Sequence, residues 1–192
     1  MIDCPLPIVG FCAFSGTGKT TLLRRLLPLL KLKGLRIGVV KHAHHQFDID
    51  QPSKDSYELR QAGAAQMLVA SRKRMAWVKE LPEENPEPGL QETLRVLDTD
   101  TLDLVLVEGF KQATFPKIEL HRPSLGKPLM YSTMPGIIAI ATDTPLADPD
   151  IRLVQLNLNQ PEEIADFIIK TILQPSSTVK FPQINKEANH AH

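Results

Sequence analysis

The stretch Ala13-Phe14-Ser15-Gly16-Thr17-Gly18-Lys19-Thr20-Thr21 limits what this chain can fold into more than any other part of it. An apolar run, Pro7 to Phe14, precedes it and reads as a buried strand. After it, Leu22, Leu23, Leu26, Leu27, Leu29 and Leu30 recur at helical spacing. Strand, glycine-rich turn and helix, in that order, match the phosphate-loop pattern G-x-x-x-x-G-K-[ST] except at its first position, where Ala13 replaces Gly. Small residues let backbone N–H groups converge on phosphate oxygens, and a helix start adds unpaired N–H groups and a positive dipole end. Lys19 is expected to reach the β- and γ-phosphates, and the Thr20 hydroxyl to ligate Mg²⁺. The candidate triphosphate contacts are therefore Ser15, Gly16, Thr17, Gly18, Lys19, Thr20 and Thr21. Ala13 tolerates positive φ poorly, so the chain is expected to turn differently there. The plainer reading is a Gly-Ser turn that happens to precede a lysine. A loop of this type predicts triphosphate binding, not hydrolysis.

The rest of the chain alternates strands and helices. Pro28 is expected to kink the first helix and Gly34 to stop it. Leu35–Val40 reads as a second strand, and residues 41–53 as a polar loop. Ser53 is the expected N-cap of a helix over 54–62, closed by Gly63. Residues 66–71 and 75–79 read as strands joined by the basic turn Arg72-Lys73-Arg74, followed by a Pro- and Glu-rich loop over 81–89. A helix is expected over 90–97, and strands over 102–107, 117–121, 137–141 and, more weakly, 152–156. Residues 123–135 read as loop, and Pro161 opens a last helix to Leu173, with Glu162 and Glu163 suiting its N-terminal end. Residues 175–192 lack periodicity and read as a tail. The expectation is an α/β fold of the P-loop NTPase kind over 1–174, a mainly parallel sheet with helices on both faces. Ligands bind such sheets beyond the strands' carboxyl ends. Ser15, Lys41, Glu108 and Asp143 all fall there.

Composition narrows the classes further. The chain has 192 residues, 42% of them apolar, and a formal net charge of zero. That balance argues against a general affinity for nucleic acid or other polyanions. Cys4 and Cys12 make no disulfide framework, so a reducing compartment is expected, with Cys12 as a small buried hydrophobe. No basic flank precedes an apolar stretch at the N-terminus, and no apolar run approaches the ~20 residues that span a bilayer. The expected location is cytoplasmic.

Two further segments carry candidate chemistry. Leu102-Asp103-Leu104-Val105-Leu106-Val107-Glu108-Gly109 ends a buried strand with a carboxylate, where phosphate-loop proteins place an acid toward Mg²⁺ or its water. Glu108 is assigned to the metal or to orienting a water, and Gly109 to a close approach of backbone to phosphate. Residues 41–50 hold His42, His44, His45, Asp48 and Asp50. Zinc is one reading, although no Cys accompanies them and the spacing matches no closed four-ligand site. The other is a switch loop ordered by the γ-phosphate, with Asp48 or Asp50 as an Mg²⁺ or water contact and Lys41 offsetting charge. Lys54, Asp55, Ser56 and Arg60 are explained by local capping and helix pairing, or by contacts to nucleotide or a partner.

Taken together, Ser15 to Leu23, Lys41-His42-x-His44-His45, Lys54 to Arg60 with Ala62-Gly63-Ala64, and Val107-Glu108-Gly109-Phe110-Lys111 resemble the MobB family of molybdopterin-guanine dinucleotide biosynthesis. The resemblance runs in order from about Pro7 to Leu173. It implies GTP and Mg²⁺ as ligands, weak hydrolysis, a homodimer with an extended sheet, and work beside a molybdopterin guanylyltransferase. Carried onto this chain, it puts GTP at Ser15 to Thr21, with Lys19 and Glu108 at the reacting end. Ser53 stands where the family often has Gly. The base-reading signature Asn-Lys-x-Asp is absent. Asp143, after Ala141-Thr142, is either an acceptor for guanine N1 and N2 or a turn residue before Thr144-Pro145. Three functions follow: a GTP-binding adaptor with slow GTPase activity, a small-molecule kinase using the same loop, or an interaction module that nucleotide only stabilises.

Overall fold

The structure, a computed structural model, describes residues 2–43, 47–82 and 87–174; the tail expected over 175–192 lies outside them, as do His44 and His45. They group into two compact units, one of residues 2–42 and 89–174 and the other of the described residues between them.

The first unit is a six-stranded parallel sheet of β1 (Ile8–Ala13), β2 (Ile37–Lys41), β5 (Leu104–Glu108), β6 (Lys117–His121), β7 (Ile137–Thr142) and β8 (Val154–Asn157). Their order in the sheet is β2-β5-β1-β6-β7-β8. Every pairing is parallel, so the strands' carboxyl ends share one edge. Side chains alternate across the sheet. Val9, Phe11, Ala13, Leu104, Leu106, Ile118, Leu120, Ala139 and Ala141 form one face and pack on α1 (Lys19–Leu32) and α4 (Pro161–Ile168). Ile8, Val105 and Val107 form part of the other and pack on Leu90 and Leu94 of α3 (Leu90–Leu94). The expected helices on both faces are present, with much the larger cover on the α1 side.

α1 runs through Pro28 without interruption. Proline removes the bond to the carbonyl four residues back, that of Arg24, and both residues are exposed, so water can satisfy the freed oxygen. Gly34 ends the helix as expected: at φ 85° it lets its own N–H reach Lys31 O while Leu35 N–H reaches Leu30 O. α4 passes directly into a π-helical stretch, Ile169–Leu173. Among the described residues, no helix is long and apolar enough to cross a membrane.

The connection from β6 to β7 contains no α-helix, and the sheet's own side chains hold it. Lys117, fully buried, donates from Nζ to Pro135 O at 2.7 Å and to Ala113 O, and lies over the Phe115 ring. Glu119, also fully buried, accepts from Met130 N–H at 2.7 Å. Burial pushes Lys117 down to about 8 and raises Glu119 above the usual carboxylate range. Cys12, opposite Glu119 in the register, is buried as expected, and burial lifts its thiol to about 12.

The second unit contains α2 (Asp55–Gln61) and an antiparallel pair, β3 (Gln66–Ala70) and β4 (Met75–Lys79). The hairpin around the basic turn is as expected. The N-cap is not: Lys54 occupies that position without a side-chain cap, and Ser53 sits at φ 69°, where it turns the chain into the helix.

Candidate functional site

The phosphate loop is built by two left-handed glycines and one threonine. Gly16 and Gly18 sit at φ 82° and 99°, conformations that cost a side chain dearly. Thr17 closes the turn from inside, its N–H and Oγ1 both donating to Phe14 O at 3.3 and 2.9 Å. Ala13 is the last residue of β1, buried at negative φ, so replacing Gly there asks nothing unusual of the backbone. The turn expected at that position is made three residues later. Gly18 caps α1, and its carbonyl accepts the first helical bond from Leu22 N–H. No side chain caps this helix start and no acid lies in its first turn. Its leading N–H groups therefore point outward beside a partial positive charge.

The structure brings Lys19 and Glu108 together at the mouth of this cradle. Lys19 Nζ lies 3.5 Å from Glu108 Oε1, and both side chains are about one-fifth exposed or less. Glu108 ends β5 between Phe11 of β1 and Lys41 of β2, and its carbonyl accepts from His42 N–H. Gly109 has φ 97°, and a Cβ there would come within 2.5 Å of His42 Cβ. The close approach that needs a glycine is thus to His42, whose ring stacks on Phe110 with centroids 4.6 Å apart.

A third contributor was not legible as such. Arg122, one residue past β6, donates from Nε to Thr17 O at 2.9 Å and from Nη1 to Asp143 Oδ2 at 2.5 Å. It lines a cleft of about 190 Å³ together with Gly16 to Gly18, Thr21, Leu22, Arg25, Leu158 and Asn159. Asp143 therefore reaches the phosphate loop through Arg122, while its Oδ1 is buried without a hydrogen-bond partner among the described residues. Burial lowers the neighbouring His121 below its ordinary value, an effect Asp143 partly offsets. The one available signal for Arg122 was its place at a strand's carboxyl end, shared with Lys41 and Glu108.

Asp48 and Asp50 belong to the second unit, and there Arg60 takes them both. Its Nη2 lies 2.8 Å from Asp48 Oδ1, its Nε 3.4 Å from Asp50 Oδ2 and its Nη1 2.5 Å from Glu80 Oε1. Ser56 Oγ donates to Asp50 Oδ1. The Asp50 N–H, and then Arg60, hold Asp48 below the usual carboxylate range. Ser56 and Arg60 thus tie the loop to α2, and Arg60 also lies over the Tyr57 ring one turn back on the helix. Among the described residues, no three His, Cys, Asp or Glu side chains are placed to hold a metal ion.

The oxygen donors at the cradle nonetheless suit magnesium bound with a triphosphate. A Thr20 hydroxyl and a Glu108 carboxylate are hard ligands, and Mg²⁺ completes its shell with waters and phosphate oxygens.

Comparisons with known proteins agree with one another. Residues 8–143 match the family MobB, described as molybdopterin guanine dinucleotide synthesis protein B. The chain is 46% identical to the molybdopterin-guanine dinucleotide biosynthesis adapter protein of Escherichia coli (strain K12), covering 86% of this chain and 93% of that one. Its identity to the adapter protein of the same description from Haemophilus influenzae is 40%, over 85% of this chain and 88% of that one. The crystal structure of a molybdopterin-guanine biosynthesis protein B aligns with a TM-score of 0.64 at 26% identity, covering 85% of this chain and 98% of that one. Bacillus subtilis MobB aligns at 0.66 over 87% of this chain and 98% of its own, with 21% identity, a likeness of fold alone.

Proposed function

The chain belongs to the MobB family, and from that premise we propose that it is the adapter protein of molybdopterin guanine dinucleotide biosynthesis, using a bound GTP–Mg²⁺ complex. The observation that carries the nucleotide half of this reading is the Lys19–Glu108 pair at the open end of the amide cradle. An ammonium beside bare helix N–H groups is matched to a polyphosphate, and a carboxylate 3.5 Å from it is matched to a divalent cation. When bound, the magnesium neutralises phosphate charge. Ser15 to Thr21 enclose the phosphates, Lys19 turns from Glu108 to the β- and γ-oxygens, and Thr20 and Glu108 face the metal. Weak hydrolysis at most belongs to the same reading.

Asp143 supports the choice of guanine. Its Oδ1 is an unpartnered acceptor that the reading requires to be uncovered when nucleotide binds; guanine offers N1–H and N2–H₂ as donors where adenine presents an acceptor at N1. Calorimetric titration with Mg²⁺ should therefore give tighter binding of GTP than ATP, and Asp143→Asn should narrow that preference by about tenfold. Tighter binding of ATP by the unaltered protein contradicts the assignment.

The reading also includes a homodimer and a guanylyltransferase partner. No residue of α2, β3 or β4 is buried, while Leu68, Met75, Trp77 and Leu59 stand more than 40% exposed. A unit this small without a core of its own is stabilised by covering that surface. Sedimentation equilibrium is expected to give twice the 21.4 kDa chain mass, shifting toward one chain when Leu68 and Met75 are both replaced by Asp. A single-chain mass for the unaltered protein at tens of micromolar rules the dimer out.

A further inference from the structure

We propose that Arg122 is a positioning residue that aims the Gly18 N–H into the phosphate cradle. This rests on reading the loop as a triphosphate site. A trans peptide is planar, and its C=O and N–H point in opposite directions. The Thr17 carbonyl and the Gly18 N–H belong to one peptide. Arg122 Nε takes that carbonyl at 2.9 Å, so the N–H on the other side of the plane faces away from Arg122.

The peptide needs such a hold. Its next residue is Gly18 at φ 99°, and glycine places little restriction on rotation about that bond. Thr17 cannot supply the hold itself. Its N–H and hydroxyl are both committed to Phe14 O, at the start of the turn. Arg122 Nη2 lies 3.8 Å from the point where a Gly18 Cβ would stand, so the guanidinium flanks this peptide directly.

The guanidinium is in turn held from a different strand. Nη1 pairs with Asp143 Oδ2 at 2.5 Å, just beyond β7. A planar fork makes two bonds in fixed directions, one to the loop and one to the anchor. A lysine keeps the charge and loses that geometry. The loop's shape is thus referred to the sheet through Arg122 and Asp143, two strands away from β1 in the order β1-β6-β7.

Inorganic tripolyphosphate with Mg²⁺ isolates the cradle, because it carries no base. The unaltered protein is expected to bind it and Lys19→Ala to lose it. Arg122→Gln and Arg122→Lys should each weaken it about tenfold, the size of one lost hydrogen bond. The Gly18 amide resonance should move strongly on adding tripolyphosphate to the unaltered protein and little in either variant. Should the Arg122 variants fail to fold by circular dichroism, Asp143→Asn decides: it should weaken tripolyphosphate severalfold and blunt the same Gly18 shift. Arg122→Lys matching the unaltered protein means that charge alone is at work and overturns the proposal. So does an unchanged Gly18 response in Asp143→Asn. If the unaltered protein binds no tripolyphosphate, the triphosphate reading itself fails and this inference with it.

Discussion

Replacing Lys19 by alanine is expected to weaken binding of GTP–Mg²⁺ by about a hundredfold or more while leaving the melting temperature within a few degrees of the parent. Two charge-assisted hydrogen bonds, one to each of two phosphates, are worth about 3 kcal/mol together, which is about a hundredfold. The loss is deepened by what remains. Glu108 then faces the polyphosphate without the ammonium that now stands 3.5 Å from it, and like charges oppose each other. The fold does not depend on Lys19. α1 is held by Leu22, Leu23, Leu26 and Leu30, all buried in the main core. Calorimetry beside a thermal melt separates the two effects. Unchanged GTP affinity in this variant refutes the assignment of the loop. If the output of a partner guanylyltransferase is also indifferent to Lys19, nucleotide serves only as a structural prop.

The largest stability effect is expected at Gly136, far along the chain from the phosphate loop. It sits at φ 81°, and a Cβ there would lie 2.1 Å from Phe115 O and 2.9 Å from Phe115 C. These are backbone atoms, so no rotamer change relieves the overlap. The Phe115 segment cannot move aside easily. Gly10 N–H donates to Pro116 O and Lys117 N–H to Gly136 O, while Lys117 Nζ holds Pro135 O from the other side. Gly136→Ala should therefore cost about 3 kcal/mol or more, lowering the melting temperature by roughly 6–12 °C in a chain of this size. Gly63→Ala is the control: φ is positive there too, at 111°, but among the described residues beyond its chain neighbours no atom lies within 4 Å of the added Cβ, and about 1 kcal/mol is expected. Equal effects at the two sites would show that φ alone matters and the overlap does not.

How much of this was legible in the sequence varied with how local the cause is. The strand-loop-helix around Ser15 to Thr21 depends on neighbours in the chain, and its glycines, Lys19 and leucine spacing were enough to read it. The place of Glu108 at the end of β5 was legible because an apolar run closes on it, whereas its approach to Lys19 was expected only through the loop's pattern. Arg122 was not: nothing nearby in sequence marks it, since its partners Thr17 and Asp143 stand on two other strands' ends. The Lys117–Glu119 pair was hidden for another reason. The strand over 117–121 was legible but the roles of its polar residues were not: both are buried because they satisfy backbone groups of connections that hold no α-helix. The pairing of Asp48 and Asp50 with Arg60, twelve and ten residues on, was not legible because it depends on how the loop folds back. Ser53 carried a capping residue's chemistry but took a turning residue's backbone.

The most direct test of the account is a crystal structure with a non-hydrolysable GTP analogue and Mg²⁺. The account predicts the β-phosphate ringed by the N–H groups of Gly16 to Thr20, within about 3 Å of them, with Lys19 withdrawn from Glu108 and the metal between Thr20 and Glu108. Phosphate density anywhere else, with this cradle empty and Lys19 still paired to Glu108, contradicts it.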